Sequence, residues 1–171
     1  MSIVINTERF VLRELGESDV SARYLGWFSD SAAQTSISAA ADMHSLEDLH
    51  AYVRARSGRV DVLFLGIFLR ETDLHIGNIK YEPVDSASGR AVMGILIGDP
   101  VFRGKGVAQE VMRESAAWLR EHRGIRTISL GVHAANSAAV AAYERVGFRR
   151  VVEGEVDAVG ADAHFSMLWT L

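Results

Sequence analysis

The chain has 171 residues, 49% hydrophobic and 23% charged, the balance of a globular protein whose core needs no covalent staple. It contains no cysteine, which excludes disulfides, thiolate metal sites and a cysteine nucleophile, and its net charge of −4 argues against a nucleic-acid surface. No apolar run approaches the ~20 residues of a membrane span, and Glu8 and Arg9 interrupt the window of a signal peptide, so a cytoplasmic protein away from membranes is expected.

No repeat, low-complexity tract or linker breaks the sequence, so residues 1–171 read as one domain. Phe10 to Leu12, with Leu15, form a short first strand. Asp19 is placed to cap a helix running to about Ser29, with Val20, Tyr24, Trp27 and Phe28 on its apolar face. Ser45, with Asp48 three residues on, opens a second helix as an acidic variant of a capping box. Three apolar runs, Val60 to Leu69, His75 to Tyr81 and Ala91 to Ile97, are joined by polar turns and predict an antiparallel meander.

The period then changes. Val107, Val111, Ala116, Trp118 and Leu119 fall at helical spacing, so Gly106 to His122 should be a long amphipathic helix that Gly124 ends. Thr127 to Val132 reads as a strand and Ser137 to Val146 as a helix capped by Gly147. Phe148 to Val152 and Phe165 to Leu171 close the chain as strands. A strand–helix–strand unit between antiparallel strands predicts a mixed sheet with helices on both faces.

The most informative stretch runs from Gly94 to Ala108, where an apolar strand ends, glycines turn the chain and a helix begins. Free N–H groups and the positive dipole end at a helix start suit phosphate oxygens, and Arg103 and Lys105 add charge. The same pattern also suits a plain glycine-rich connection bearing two solvated basic residues. Spacing disfavours two well-known phosphate loops. Five residues, not four, separate Gly98 from Gly104, and Gly106 follows Lys105 where a P-loop has Ser or Thr. The dinucleotide fingerprint fails because its third glycine is Gln109.

Arg103-Gly104-Lys105-Gly106-Val107-Ala108 resembles the pyrophosphate loop of the GNAT superfamily of N-acetyltransferases, read as Gln/Arg-x-x-Gly-x-Gly/Ala. Downstream, Asn136, the helix carrying Tyr143, and Gly147-Phe148 resemble the second signature of that family, in the same order. The likeness covers most of the chain, and its nearest branch is the RimJ/RimL-like one. The resemblance implies an α/β fold of α+β type, with a mixed, mostly antiparallel sheet of about six to seven strands and about four helices. It also implies that the fourth and fifth strands, 91–97 and 127–132, splay to admit the pantetheine arm of acetyl-CoA as an added strand.

Carried over residue by residue, Leu96, Ile97 and Gly98 would offer backbone bonds to pantetheine and thioester. Arg103 and Gly104 to Gln109 (Lys105, Gly106, Val107 and Ala108 between them) would hold the pyrophosphate, and Asn136 would bond the pantetheine. Tyr143 resembles the tyrosine that faces the thioester sulfur as an acid. The pattern departs at the base, because Gly131 stands where many relatives carry a glutamate, and Val92 and Met93 where others carry a carboxylate. His133, expected on the same strand face as Gly131, and Glu82 or Asp85 are the candidates, with a water chain as the alternative.

Without a strong base, an amine of low pKa is the easier acceptor. Deprotonation at pH 7 costs roughly 4.6 kcal/mol for a lysine-like amine and about 1 kcal/mol for an α-amine. A protein N-terminus or a small molecule such as an amino sugar is therefore expected as acceptor, and His75-Ile76-Gly77-Asn78-Ile79-Lys80 resembles relatives acting on sugar nucleotides. Trp27, Phe28, Glu82 and the stretch Gln34 to Met43 are the candidate acceptor contacts, and Arg54, Arg56 and Arg59 could meet a phosphate. The six histidines lack paired metal spacing, so no metal is expected. A catalytically silent acyl-CoA binder is the competing reading, and the chain is expected as a monomer or a homodimer through its C-terminal strand.

Overall fold

Alternating apolar residues on each predicted strand bury both faces of one sheet, and the two faces take different helices. A computed structural model of the chain describes residues 2–30, 38–151 and 165–171. Within them the strands are β1 (Val4–Asn6), β2 (Phe10–Glu14), β3 (Leu63–Leu69), β4 (His75–Asp85), β5 (Arg90–Ile97), β6 (Thr127–Val132), β7 (Arg149–Arg150) and β8 (Phe165–Thr170). The helices are α1 (Ala22–Trp27), α2 (Leu46–Arg54), α3 (Val107–Arg123) and α4 (Ser137–Val146). Among the described residues the sheet has eight strands in the order β1-β2-β3-β4-β5-β6-β8-β7. Every neighbouring pair is antiparallel except β5 with β6, which α3 connects by a crossover.

Leu63, Leu65 and Ile67 of β3, with Ile79 and Tyr81 of β4, pack against Val111, Met112 and Leu119 of α3 and Val140 of α4. Phe64 and Phe68, one residue out of step, face Tyr24 and Trp27 of α1 and Leu49 and Val53 of α2. The period of two thus divides one apolar run between two cores.

Local signals hold where the chemistry is local. Ser45 caps α2 by accepting from the Asp48 N–H at 3.1 Å, and Asp48 accepts from the His44 N–H at 3.2 Å. Asp19 does not cap α1. Its carboxylate instead accepts from the Gly16 N–H and pairs with Arg13, and Ser21 provides the cap. The strand expected from Val60 begins at Leu63, because Val60 and Asp61 lie in the preceding turn. The strand not expected is the short β1, too brief to show a period, while β7 is the described part of the strand expected over Phe148 to Val152, whose last residue lies outside the described residues.

The central irregularity lies between β5 and β6. Their pairing covers Arg90 with Thr127, Ala91 with Ile128 and Val92 with Ser129, and stops there. β5 continues to Ile97 against β4, and β6 continues to Val132 against β8, so the two strands part as the family resemblance implies. At the far end of β5, a Cβ on Gly98 would lie 2.0 Å from the Trp27 indole. Gly98→Ala should therefore overpack this contact and destabilise the chain by about 1–3 kcal/mol, read as a lower urea midpoint.

Candidate functional site

Each parted strand keeps its outer partner and loses its inner one, so backbone groups face each other across a wedge. The Leu96 carbonyl is pressed against Gly77 of β4, where a Cβ would lie 2.3 Å from it. Alternation then turns the N–H and C=O of Ile95 and Ile97 towards the wedge and those of Leu96 away from it. Met93, Gly94, Ile95, Leu96 and Ile97 on one side and Leu130, Gly131 and Val132 on the other supply no carboxylate.

The wedge leads to the glycine-rich loop. Asp99 caps a 3-10 turn over Pro100–Phe102 by accepting from the Val101 N–H at 3.0 Å, and it also pairs with Arg23. Arg103, expected as a phosphate cation, folds back instead. Its guanidinium donates to the carbonyls of Ile97 at 2.9 Å and Gly98 at 3.2 Å and pairs with Asp30 at 3.0 Å. The Ile97 and Gly98 carbonyls are thereby engaged, and the loop is tied to the end of β5.

Gly104 and Gly106 have φ of 69° and 74°, in the left-handed region that glycine enters without a Cβ penalty. They aim successive N–H groups outward. The first backbone bond of α3 runs from Glu110 to the Gly106 carbonyl, and among the described residues no partner engages the N–H groups of Gly104 to Gln109. This unpaired row at a positive dipole end is chemically fit for a pyrophosphate. Lys105 stands exposed beside it. A cleft of about 550 Å³ continues from Gly106 between the β1–β2 turn, the first turns of α3 and Arg145 at the end of α4.

A clamp from the N-terminus holds this helix start, and nothing in the sequence announces it. Glu110 accepts from the Thr7 hydroxyl at 2.6 Å, the Arg9 N–H at 2.8 Å and Arg9 Nε at 2.7 Å, while Arg9 Nη1 donates to the Lys105 carbonyl at 3.0 Å. Burial pushes the Glu110 carboxyl up, but the bonds from Thr7 and Arg9 outweigh it and hold the carboxyl below its usual range.

On α4, Asn136 caps the helix by accepting from the Ala139 N–H at 3.3 Å. Tyr143 lies two turns further on, its ring 5.7 Å from that of Phe148. Burial pushes its phenol up to about 12, and no hydrogen bond engages its hydroxyl among the described residues. His133 is not on the strand face with Gly131, because β6 ends at Val132, and its carbonyl accepts from the Asn136 N–H at 3.0 Å.

The expected acceptor contacts divide. Trp27 and Phe28 are 6% and 4% exposed, core residues rather than an open surface, and part of Gln34 to Met43 lies outside the described residues. Trp27 still shapes the site by covering Gly98 and by packing its ring 4.8 Å from that of His75. His75 also stacks on Phe68 and donates or accepts at 2.7 Å with Asn78, and burial holds its imidazole below the usual range. Burial pushes the Glu82 carboxyl up, yet Lys80 and Arg56 override this and keep it below its usual range, which makes it a poor base. Arg54 pairs with Glu17, and Asp85 accepts from the Ala87 and Ser88 N–H groups to fold the turn into β5.

A sheet whose central parallel pair parts over a glycine-turned helix start is the fold that the family resemblance implies. Residues 9–149 match the family described as "Acetyltransferase (GNAT) domain", and the chain belongs to that family. Among solved structures, a GNAT-family acetyltransferase from Bacillus anthracis superposes with TM-score 0.78 at 16% identity, covering 98% of each chain. RimL, a ribosomal L7/L12 alpha-N-protein acetyltransferase in complex with coenzyme A, superposes with TM-score 0.79 at 20% identity, covering 98% of this chain and 96% of that one. The mycothiol acetyltransferase of Salinispora tropica is 41% identical over 77 residues, 44% of this chain. The match spans about a quarter of the curated relative, 24% of its length.

The clamp makes a pH prediction. A carboxyl depressed in the folded chain adds stability above its unfolded pKa and loses it as pH falls through the folded value. Between pH 7 and pH 3.5 the wild-type urea midpoint should therefore fall further than that of Glu110→Gln, and parallel falls would contradict the clamp.

Proposed function

We propose that the protein is an acetyl-CoA-dependent N-acetyltransferase that passes the acetyl group directly to a primary amine within a ternary complex. The observation that carries this reading is the wedge between β5 and β6 opening onto the unpaired N–H groups of Gly104 to Gln109. When bound, acetyl-CoA supplies the activated acyl group. The N–H groups of Gly104 to Gln109, with Lys105, hold the pyrophosphate. The backbone of Ile95 and the N–H of Ile97, whose carbonyl Arg103 already engages, hold the pantetheine, with Asn136 near the end of β6. Arg103 acts through the loop that it ties in place rather than by meeting a phosphate.

Tyr143 is the group that faces the leaving sulfur. With its phenol near 12, complete transfer of its proton to a thiolate of pKa about 8.5 is uphill by about 5 kcal/mol. Its role is therefore to donate a hydrogen bond to the sulfur as negative charge develops, and the buried phenol stays protonated for that purpose. The amine must arrive largely neutral, since neither parted strand carries a base. An α-amine, of a protein N-terminus or a small molecule, or an amino sugar meets that condition at low cost. His133, just beyond the end of β6, is the candidate to take the proton from the amine.

Acetyl-CoA and CoA, tested beside NADPH and ATP, should alone raise the melting temperature, with about 2.7 kcal/mol gained at 100 times Kd. Acceptor-dependent thiol release then separates an enzyme from a silent acyl-CoA binder. Tyr143→Phe should lower kcat by 10-fold to 100-fold and leave the KM for acetyl-CoA within about twofold, and unchanged kcat would remove Tyr143 from the mechanism.

A further inference from the structure

Open space and positive charge share the sheet face that α1 and α2 cover. Gly94 lies on β5 just beyond the last pair with β6, and a Cβ added there would meet no atom of the described residues within 4 Å. Its neighbours Met93 and Leu96 are buried, so the opening at Gly94 is a local gap in a packed sheet. Directly across on β4 stands Lys80, whose side chain shares the face of Gly94.

The Lys80 ammonium donates to the Tyr52 hydroxyl at 2.8 Å and pairs with Glu82 at 2.9 Å. Arg56 pairs with the same carboxylate at 2.9 Å and lies 3.7 Å over the Tyr52 ring. Arg59 reaches the other Glu82 oxygen at 3.1 Å and pairs with Asp61 at 2.6 Å. Three cations therefore face two carboxylates. The inner members are half-buried, with Lys80 25% exposed and Arg56 and Glu82 each 19%. The residues of β5 and β6 that share this face beside Gly94, Val92, Leu96, Ser129 and Gly131, carry no charge. A part-buried positive excess beside an opening attracts an anion and repels a second cation.

We propose that the acceptor is a small amine carrying an oxyanion, a carboxylate or a phosphate, and that Lys80, with Arg56 behind it, receives that group at the opening over Gly94. The proposal rests on the acetyltransferase reading above. Lys80 is a specificity-determining residue here, and the room left by the absent side chain at Gly94 admits the acceptor to the wedge. Polyamines and lysine side chains meet the same positive excess and are disfavoured.

The test uses two matched pairs of acceptors, alanine with alaninamide and glucosamine 6-phosphate with glucosamine. At least one anionic member should show kcat/KM ten or more times that of its neutral partner, and the pair that does so separates carboxylate from phosphate. Lys80→Met should bring that ratio near one, and Lys80→Arg should keep most of it. Equal use within both pairs, or a ratio unchanged in Lys80→Met, overturns the proposal while turnover itself leaves the acetyltransferase reading standing. If none of the four turns over, calorimetry on the CoA-loaded protein reads the same comparison as affinity, and equal affinity within both pairs overturns the proposal. Absence of any CoA-induced thermal shift instead indicts the underlying reading.

Discussion

Two strands in the middle of a sheet can leave their backbone groups unpaired only if each is held from its other side. Here β4 holds β5 as far as Ile97, and β8 holds β6 as far as Val132, so the wedge opens without loosening the sheet. Unpaired donors and acceptors away from bulk water carry a free-energy cost of order 1–3 kcal/mol each, which an extended ligand lying between the strands relieves. The wedge is thus a strain on the fold and, in the proposed function, the source of its affinity for the cofactor. Trp27 against Gly98 and the Leu96 carbonyl against Gly77 fix how far β5 can lean, and both contacts require glycine.

The charged residues around the loop divide their work in a way that their sequence order conceals. Arg103 faces inward and sets the loop path, leaving Lys105 exposed beside the row of N–H groups. Arg9 and Glu110 neutralise each other while docking the start of α3 on the β1–β2 turn. In the proposed function, anion affinity then falls mainly to backbone donors and the helix dipole, which need no reorganisation on binding.

In the proposed reaction, the acceptor side is governed by what the parted strands lack. With no carboxylate on them, and with Glu82 held ionised by Lys80 and Arg56, the site is poorly equipped to deprotonate a strongly basic amine. The same cations lower the tendency of a nearby amine to carry a proton, since a like charge disfavours the ammonium form. The proposed acceptor face and the absence of a carboxylate on the parted strands are therefore chemically compatible.

What the sequence by itself determined were features whose causes lie within a few residues of one another. The Ser45 cap, the bounds of β6 and α4, and the left-handed glycines that start α3 all follow from local hydrogen bonding, period and Cβ sterics. The two family signatures implied the parting of the strands, and the helices that follow the glycine loop and carry Tyr143 lie where the periodicity predicts them. Only the tertiary structure decided that Arg103 turns back on Ile97, that Trp27 is core, that His133 falls beyond β6, and that Thr7 and Arg9 meet Glu110 about a hundred residues away. A charged or aromatic side chain has many partners within reach of a chain this long, and which one it takes depends on the packing of both cores, which no local pattern encodes.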